Sequence, residues 1–115
     1  MSVLDTPNVQ ALSRYLDLLA FRQGLVSQNV ANVDTPGYHT KDVNFHRELQ
    51  RAAGDEKESP AVKDVPGLLQ RPDGNNVSLD REGLLMAETQ LQFRTAVQLL
   101  RTEFRRIQSA IQEGR

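Results

Sequence analysis

The sequence predicts a mainly α protein: N- and C-terminal heptad helices able to pair antiparallel as a coiled coil, joined by a mostly irregular middle segment with room for a short helix or short strands. Three observations carry this. Apolar residues recur at alternating steps of three and four near both ends of the chain. A Thr-Pro-Gly triplet closes the first of these patterns, and a Pro-Asp-Gly triplet precedes the second. The stretch between is charged and proline-bearing, with little to bury. The expected division is 1–35 for the first coiled-coil helix, 36–78 for the middle and 79–115 for the second helix, with 1–35 and 79–115 together making one helical assembly domain.

The first helix starts at Thr6-Pro7, a cap residue followed by a proline that suits a first turn. Its seam is Val9, Leu12, Leu16, Leu19, Val26, Val30 and Val33, broken once by Gln23. A partial second stripe, Ala11, Tyr15, Leu18 and Leu25, makes the apolar face wider than a two-stranded coil needs. Pro36 cannot continue the helix and biases Thr35 away from helical geometry.

In the middle, "DVNFHRELQRAAG" predicts a short helix with Phe45, Leu49 and Ala52 on one face and Gly54 as its stop. "GDEKESPAVKDVPG" reads as a linker. Weak strand signals lie at 62–65 and 76–79.

The last helix is expected from about Asp80 to Gln112, capped by Ser78 or Asp80, with Asp80 and Glu82 suited to the positive end of its dipole. Its seam is Leu79, Gly83, Met86, Phe93, Val97, Leu100, Phe104, Ile107 and Ile111, broken by Gln90. Gln23 and Gln90 read as edge residues of their packed faces, or as polar markers that fix register. Arg101, Arg105 and Arg106 read most simply as complements to the negative end of the dipole on a solvated face. Folding the helices together brings Thr35-Pro36-Gly37 and Asp73-Gly74 to one end. Each helix then keeps apolar surface that its partner cannot cover, which marks an assembly subunit.

Composition excludes several function classes. Fourteen Lys and Arg oppose fifteen Asp and Glu, a balance with no electrostatic footprint for nucleic acid or an anionic membrane. There are no cysteines, so disulfides, thiolate metal sites and a cysteine nucleophile are out. The opening residues lack the basic and apolar regions of a secretory signal. The serines have no nucleophile setting, and the carboxylates Asp55, Glu56 and Glu58 sit in the linker. No phosphate loop is present. His39, Asp42 and His46 are the one metal-like cluster, better read as surface residues beside a turn than as a zinc site. Neither a cofactor nor a small-molecule substrate is expected.

The string "NVANVDTPGY" remains. Pro36-Gly37 suits the central positions of a type II turn, where glycine accepts the positive φ. Asn29 and Asn32 sit in the last helical turns, where carbonyls lack partners that their amides or a neighbouring subunit could supply. Tyr38 follows as a candidate interface anchor. Asn29, Asn32, Thr35, Pro36, Gly37 and Tyr38 match position by position the N-terminal signature of the bacterial flagellar rod and hook axial proteins, and the chain resembles that family. A second motif, "DGNNVSLDRE", with Asp73, Gly74, Asn75, Val77 and Asp80, and the segment "KDVNFHREL" resemble its short proximal-rod members.

The resemblance implies a structural, non-enzymatic subunit of the proximal rod of the basal body. It implies passage through the flagellar type III export apparatus without a cleaved signal peptide. Expected partners are copies of itself, sibling rod proteins and components of the junction between membrane ring and rod. A cytoplasmic helical adaptor or chaperone, and a small metal-dependent enzyme, are the competing readings.

Overall fold

A computed structural model describes residues 6–53 and 59–114. In chain order the elements are α1 (Pro7–Ala31), β1 (Lys41–Val43), α2 (Phe45–Ala53), β2 (Val62–Asp64) and α3 (Leu79–Glu113). The chain is mainly helical, with long terminal helices and a short middle. The expected helix stop at Gly54, the carboxylates Asp55, Glu56 and Glu58, and the side chain of Ala52 lie outside the described residues.

Thr6 caps α1 in an extended conformation, its hydroxyl accepting the Val9 amide at 3.2 Å, and Pro7 follows in the first turn. α1 and α3 then run antiparallel, and two side-chain contacts fix their register. Asn8 donates to Glu103 at 3.3 Å near one end, and Asn29 donates to Glu82 at the other. Asn8 to Asn29 and Glu82 to Glu103 are the same 21 residues, three heptads on each helix. The pairing therefore keeps the 3.5-residue period of a coiled coil along its length.

The core comes mainly from α1. Leu18, Leu19, Leu25 and Val26 are buried, with Ala96 of α3 and Val43 and Val77 of the middle. Of the expected α1 seam, Leu19 and Val26 are buried, Leu12 and Leu16 are half-buried, and Val30 is exposed.

On α3 the line turned toward α1 differs from the one that apolar spacing marks. Glu82, Thr89 and Ala96 are buried at seven-residue spacing, flanked by half-buried Leu85 and Gln92. Of the expected seam, Val97, Leu100 and Ile107 are half-buried, while Phe93 and Phe104 are exposed. The physical reason is the pairing itself. Glu82 is drawn to Asn29, which sets the rotation of α3 and leaves small Ala96 and Thr89 buried on the same line. Gln23 is half-buried and Gln90 is exposed.

The middle folds back on α1. β1 and β2 pair antiparallel, Lys41 opposite Asp64 and Val43 opposite Val62, while 76–79 forms no strand. Asn44 caps α2, its side-chain oxygen accepting the Arg47 amide at 3.1 Å. Phe45 meets Tyr15 of α1 edge to face, with ring centroids 5.6 Å apart, and the Arg22 guanidinium lies 5.7 Å from the Phe45 ring centre. Glu48 is buried against Arg51 at 3.0 Å and accepts the Ala61 amide at 3.2 Å, which ties α2 to the approach to β2. Among the described residues no helix is long and apolar enough to cross a membrane.

Candidate functional site

The two sequence motifs meet at the closed end of the hairpin. α1 stops at Asn32, whose backbone amide reaches the Gln28 and Asn29 carbonyls and whose side-chain amide donates to the Gln28 carbonyl at 2.8 Å. Thr35 donates its hydroxyl to the Asn32 side-chain oxygen at 3.0 Å. Thr35 to Tyr38 is then a four-residue turn closed by the Tyr38 amide on the Thr35 carbonyl at 3.2 Å. Gly37 takes φ 76° there, the left-handed value that a type II turn demands at its third position.

The second motif is zipped to the first. The Gly37 amide donates to the Asp73 carbonyl at 2.9 Å. Gly74, at φ 88°, comes so close that a Cβ on it would stand 3.2 Å from the Gly37 Cα. Asn75 is fully buried. Its side-chain amide donates to the Asn32 and Thr35 carbonyls, each at 2.9 Å, and its side-chain oxygen accepts the Val77 amide at 2.8 Å. Asp73 accepts the Asn75 amide at 2.9 Å, an Asx turn that shapes the approach. Ser78, not Asp80, caps α3 by accepting the Arg81 amide at 3.2 Å; Asp80 is exposed in the first turn.

Asn29 is not a helix stop. Its side-chain amide donates to the Lys41 carbonyl at 2.8 Å and to Glu82, and its oxygen accepts the Lys41 amide at 3.0 Å and the Tyr38 hydroxyl at 2.9 Å. The one side chain thus grips β1, the turn and α3 together. Tyr38 is half-buried with its hydroxyl spent inside the chain. Burial raises its pKa, the Lys41 charge partly offsets this, and the Glu82 and Asp64 charges add to it.

Residues that the two motifs did not single out complete the junction. Asn76 accepts the Thr40 amide at 2.7 Å. Asp42 is gripped from two helices: Arg22 of α1 binds it through two nitrogens at 3.2 and 3.1 Å, and Arg81 of α3 reaches it at 2.7 Å. Arg81 also pairs with the fully buried Glu82 at 2.8 Å. Burial alone would raise the Asp42 pKa, but the Arg22 bonds, the Val43 amide, the Arg22 charge and the Arg81 bond outweigh it and hold the carboxyl below its ordinary value.

Asn76, Arg22, Arg81 and the inward role of Glu82 were missed by reading motifs. The available signal was the run of alternating charge, Asp80-Arg81-Glu82, that ends the second motif. The three residues of the metal-like cluster at 39–46 take separate partners. Asp42 faces arginines, His39 lies 3.8 Å from Asp64, and His46 contacts Gln50 on α2.

Chemically, the junction spends its polar groups on one another. Away from it, Leu12, Tyr15, Leu49, Leu91 and Leu99 line an apolar groove of about 800 Å³ along the hairpin. No protein-family profile matches the chain. Whole known proteins do. The flagellar basal body rod protein FlgB of Borrelia hermsii is 32% identical over 108 residues, covering 73% of this chain and 80% of the relative. The FlgB proteins of Yersinia ruckeri and Escherichia coli are 29% and 27% identical, each over 86% of this chain and nearly nine-tenths of their own length. With its two motifs interlocked and relatives matched over most of their length, the chain belongs to the family of the flagellar basal body rod protein FlgB.

Proposed function

We propose that this chain is a structural subunit of the proximal rod of the bacterial flagellar basal body, and that it polymerises through its terminal helices into part of the drive shaft. One observation carries the reading: the residues of both motifs are consumed in locking α1, the turn and α3 to one another. Such a junction sets the angle of the middle segment against the helices and performs no bond chemistry. Exposed apolar residues along α3, among them Leu84, Leu91 and Phe93, leave surface for neighbouring subunits. Burying that surface supplies stability only on assembly, which couples ordering to polymerisation. Repeated head-to-tail contacts with a non-closing rotation build a helical tube.

Its partners are then copies of itself, sibling rod proteins and components at the junction of membrane ring and rod. It reaches them through the flagellar type III export apparatus. The test is deletion of the gene in its host and electron microscopy of the basal bodies. Membrane rings without rod or hook, restored by a plasmid copy, are the expected result. Complete flagella in the deletion strain would overturn the reading.

A further inference from the structure

The peptide link between Asp73 and Gly74 sits at the closest approach of the two motifs. Position 74 requires glycine: its φ is 88°, and a Cβ there would stand 3.2 Å from the Gly37 Cα. Position 73 requires a short side chain with an acceptor oxygen, because the Asp73 carboxylate takes the Asn75 amide at 2.9 Å and shapes the turn that buries Asn75. The fold therefore places side by side two residues that react with each other. A glycine amide has no side chain to shield it from the carboxyl group of the residue before it. Of the aspartates in the chain only Asp73 precedes a glycine, and no asparagine does.

In the folded chain this link is pinned at both ends. The Asp73 carbonyl accepts the Gly37 amide at 2.9 Å, and the Gly74 amide donates to the Arg71 carbonyl at 2.9 Å. The Asp73 carboxylate is turned past Gly74 onto the Asn75 amide, with the Arg71 guanidinium 3.7 Å away. Asp73 itself is exposed, so water reaches it. Pinning, and not burial, keeps the carboxyl carbon from the Gly74 nitrogen.

We propose that Asp73–Gly74 is a site of spontaneous aspartate isomerisation, held shut by the folded junction and exposed in the open chain. In the open chain the Gly74 nitrogen bonds to the side-chain carboxyl carbon of Asp73. The amide proton and the carboxyl hydroxyl leave as water, closing a succinimide ring. Water then reopens the ring. Attack at the side-chain carbonyl restores aspartate, and attack at the main-chain carbonyl gives isoaspartate of the same mass. The main chain of isoaspartate runs through the former side chain and is longer by one carbon–carbon bond, about 1.5 Å. The Gly37 amide bond to Asp73 and the two bonds from buried Asn75 to the Asn32 and Thr35 carbonyls, each 2.9 Å, do not survive a shift of that size. A chain that ages while open thus loses the ability to close, and a chain that closes promptly is protected. The chemistry depends on the junction alone and not on the rod reading.

The test is incubation of the full chain at one temperature and pH, folded in buffer and unfolded in guanidinium chloride. Isoaspartate is read in protease digests as methyl groups transferred from labelled S-adenosylmethionine by an isoaspartyl methyltransferase, and peptide mapping locates it. The unfolded chain is expected to accumulate it at Asp73, and the folded chain to do so about tenfold or more slowly, because reaction waits on local opening. Asn75→Ala releases the loop and should bring the folded rate toward the unfolded one, with circular dichroism checking its helices. Asp73→Glu, which needs a larger ring, should lose the signal at this site in guanidinium. The isomerised chain, separated by reversed-phase chromatography, should unfold at lower denaturant than fresh chain. Equal rates in the folded and unfolded wild-type chain, no isoaspartate at Asp73 in the unfolded chain, or an isomerised chain with the fresh chain's midpoint overturns the proposal.

Discussion

Asn29 uses its whole hydrogen-bonding capacity, two donors and two acceptors, on four different groups. Removing it strands one oxygen of the buried Glu82 carboxylate, the other staying on Arg81, and both backbone groups of Lys41 at once. Asn29→Ala is expected to lower the unfolding free energy by about 3 kcal/mol, read from urea titration; a loss within experimental error would mean that water replaces the side chain freely. Asp42 gives a pH signature. Its folded pKa is depressed, so its contribution is present above the unfolded value of about 3.9 and is lost as pH falls through the folded value. The stability gap between wild type and Asp42→Asn should be widest near neutrality and shrink in acid. A gap that stayed constant down to strong acid would remove the ion pair from the explanation.

Helices were legible where the backbone decided and less so where side chains did. The start at Thr6-Pro7 and the type II turn at Gly37 follow from dihedral demands that few residues meet, and a reader of sequence can see them. The rotation of α3 was not legible, because counting apolar residues gives Phe93 and Phe104 the inward face while a polar residue, Glu82, sets it. Three-residue strands carry too little pattern to announce themselves, and β2 is exposed at every position. In the site, the two motifs could be read as one end of a hairpin, but the grip of Arg22 and Arg81 on Asp42 could not, since it joins residues of three separate elements. The energetics should follow the structure's rotation. Leu19→Ala is expected to cost about 3 kcal/mol because Leu19 is fully buried. Phe104→Ser should cost under about 1 kcal/mol in the isolated chain. Thermal unfolding of both at low concentration decides, and equal losses would restore the apolar line as the true intrachain seam.

At the scale of the molecule, one end is fastened and the other is not. The described residues span 69 × 26 × 18 Å, with the dense polar junction at the closed end and the Asn8–Glu103 contact near the open one. Hydrogen exchange should follow that gradient: slowest at Leu25, Val26 and Asn29, fastest in α3 beyond Glu103. Uniform protection along α3 would contradict it. The antiparallel register has a mechanical corollary. α1 begins and α3 finishes at the same end, so traction on the leading end of α1 loads the helix pair one heptad layer at a time instead of all layers together. The hairpin peels like tape, and the arginine clasp on Asp42 is among the last contacts to feel the load. A chain with this geometry can be drawn out as a single strand by a modest, steady force and can close again from the fastened end once released.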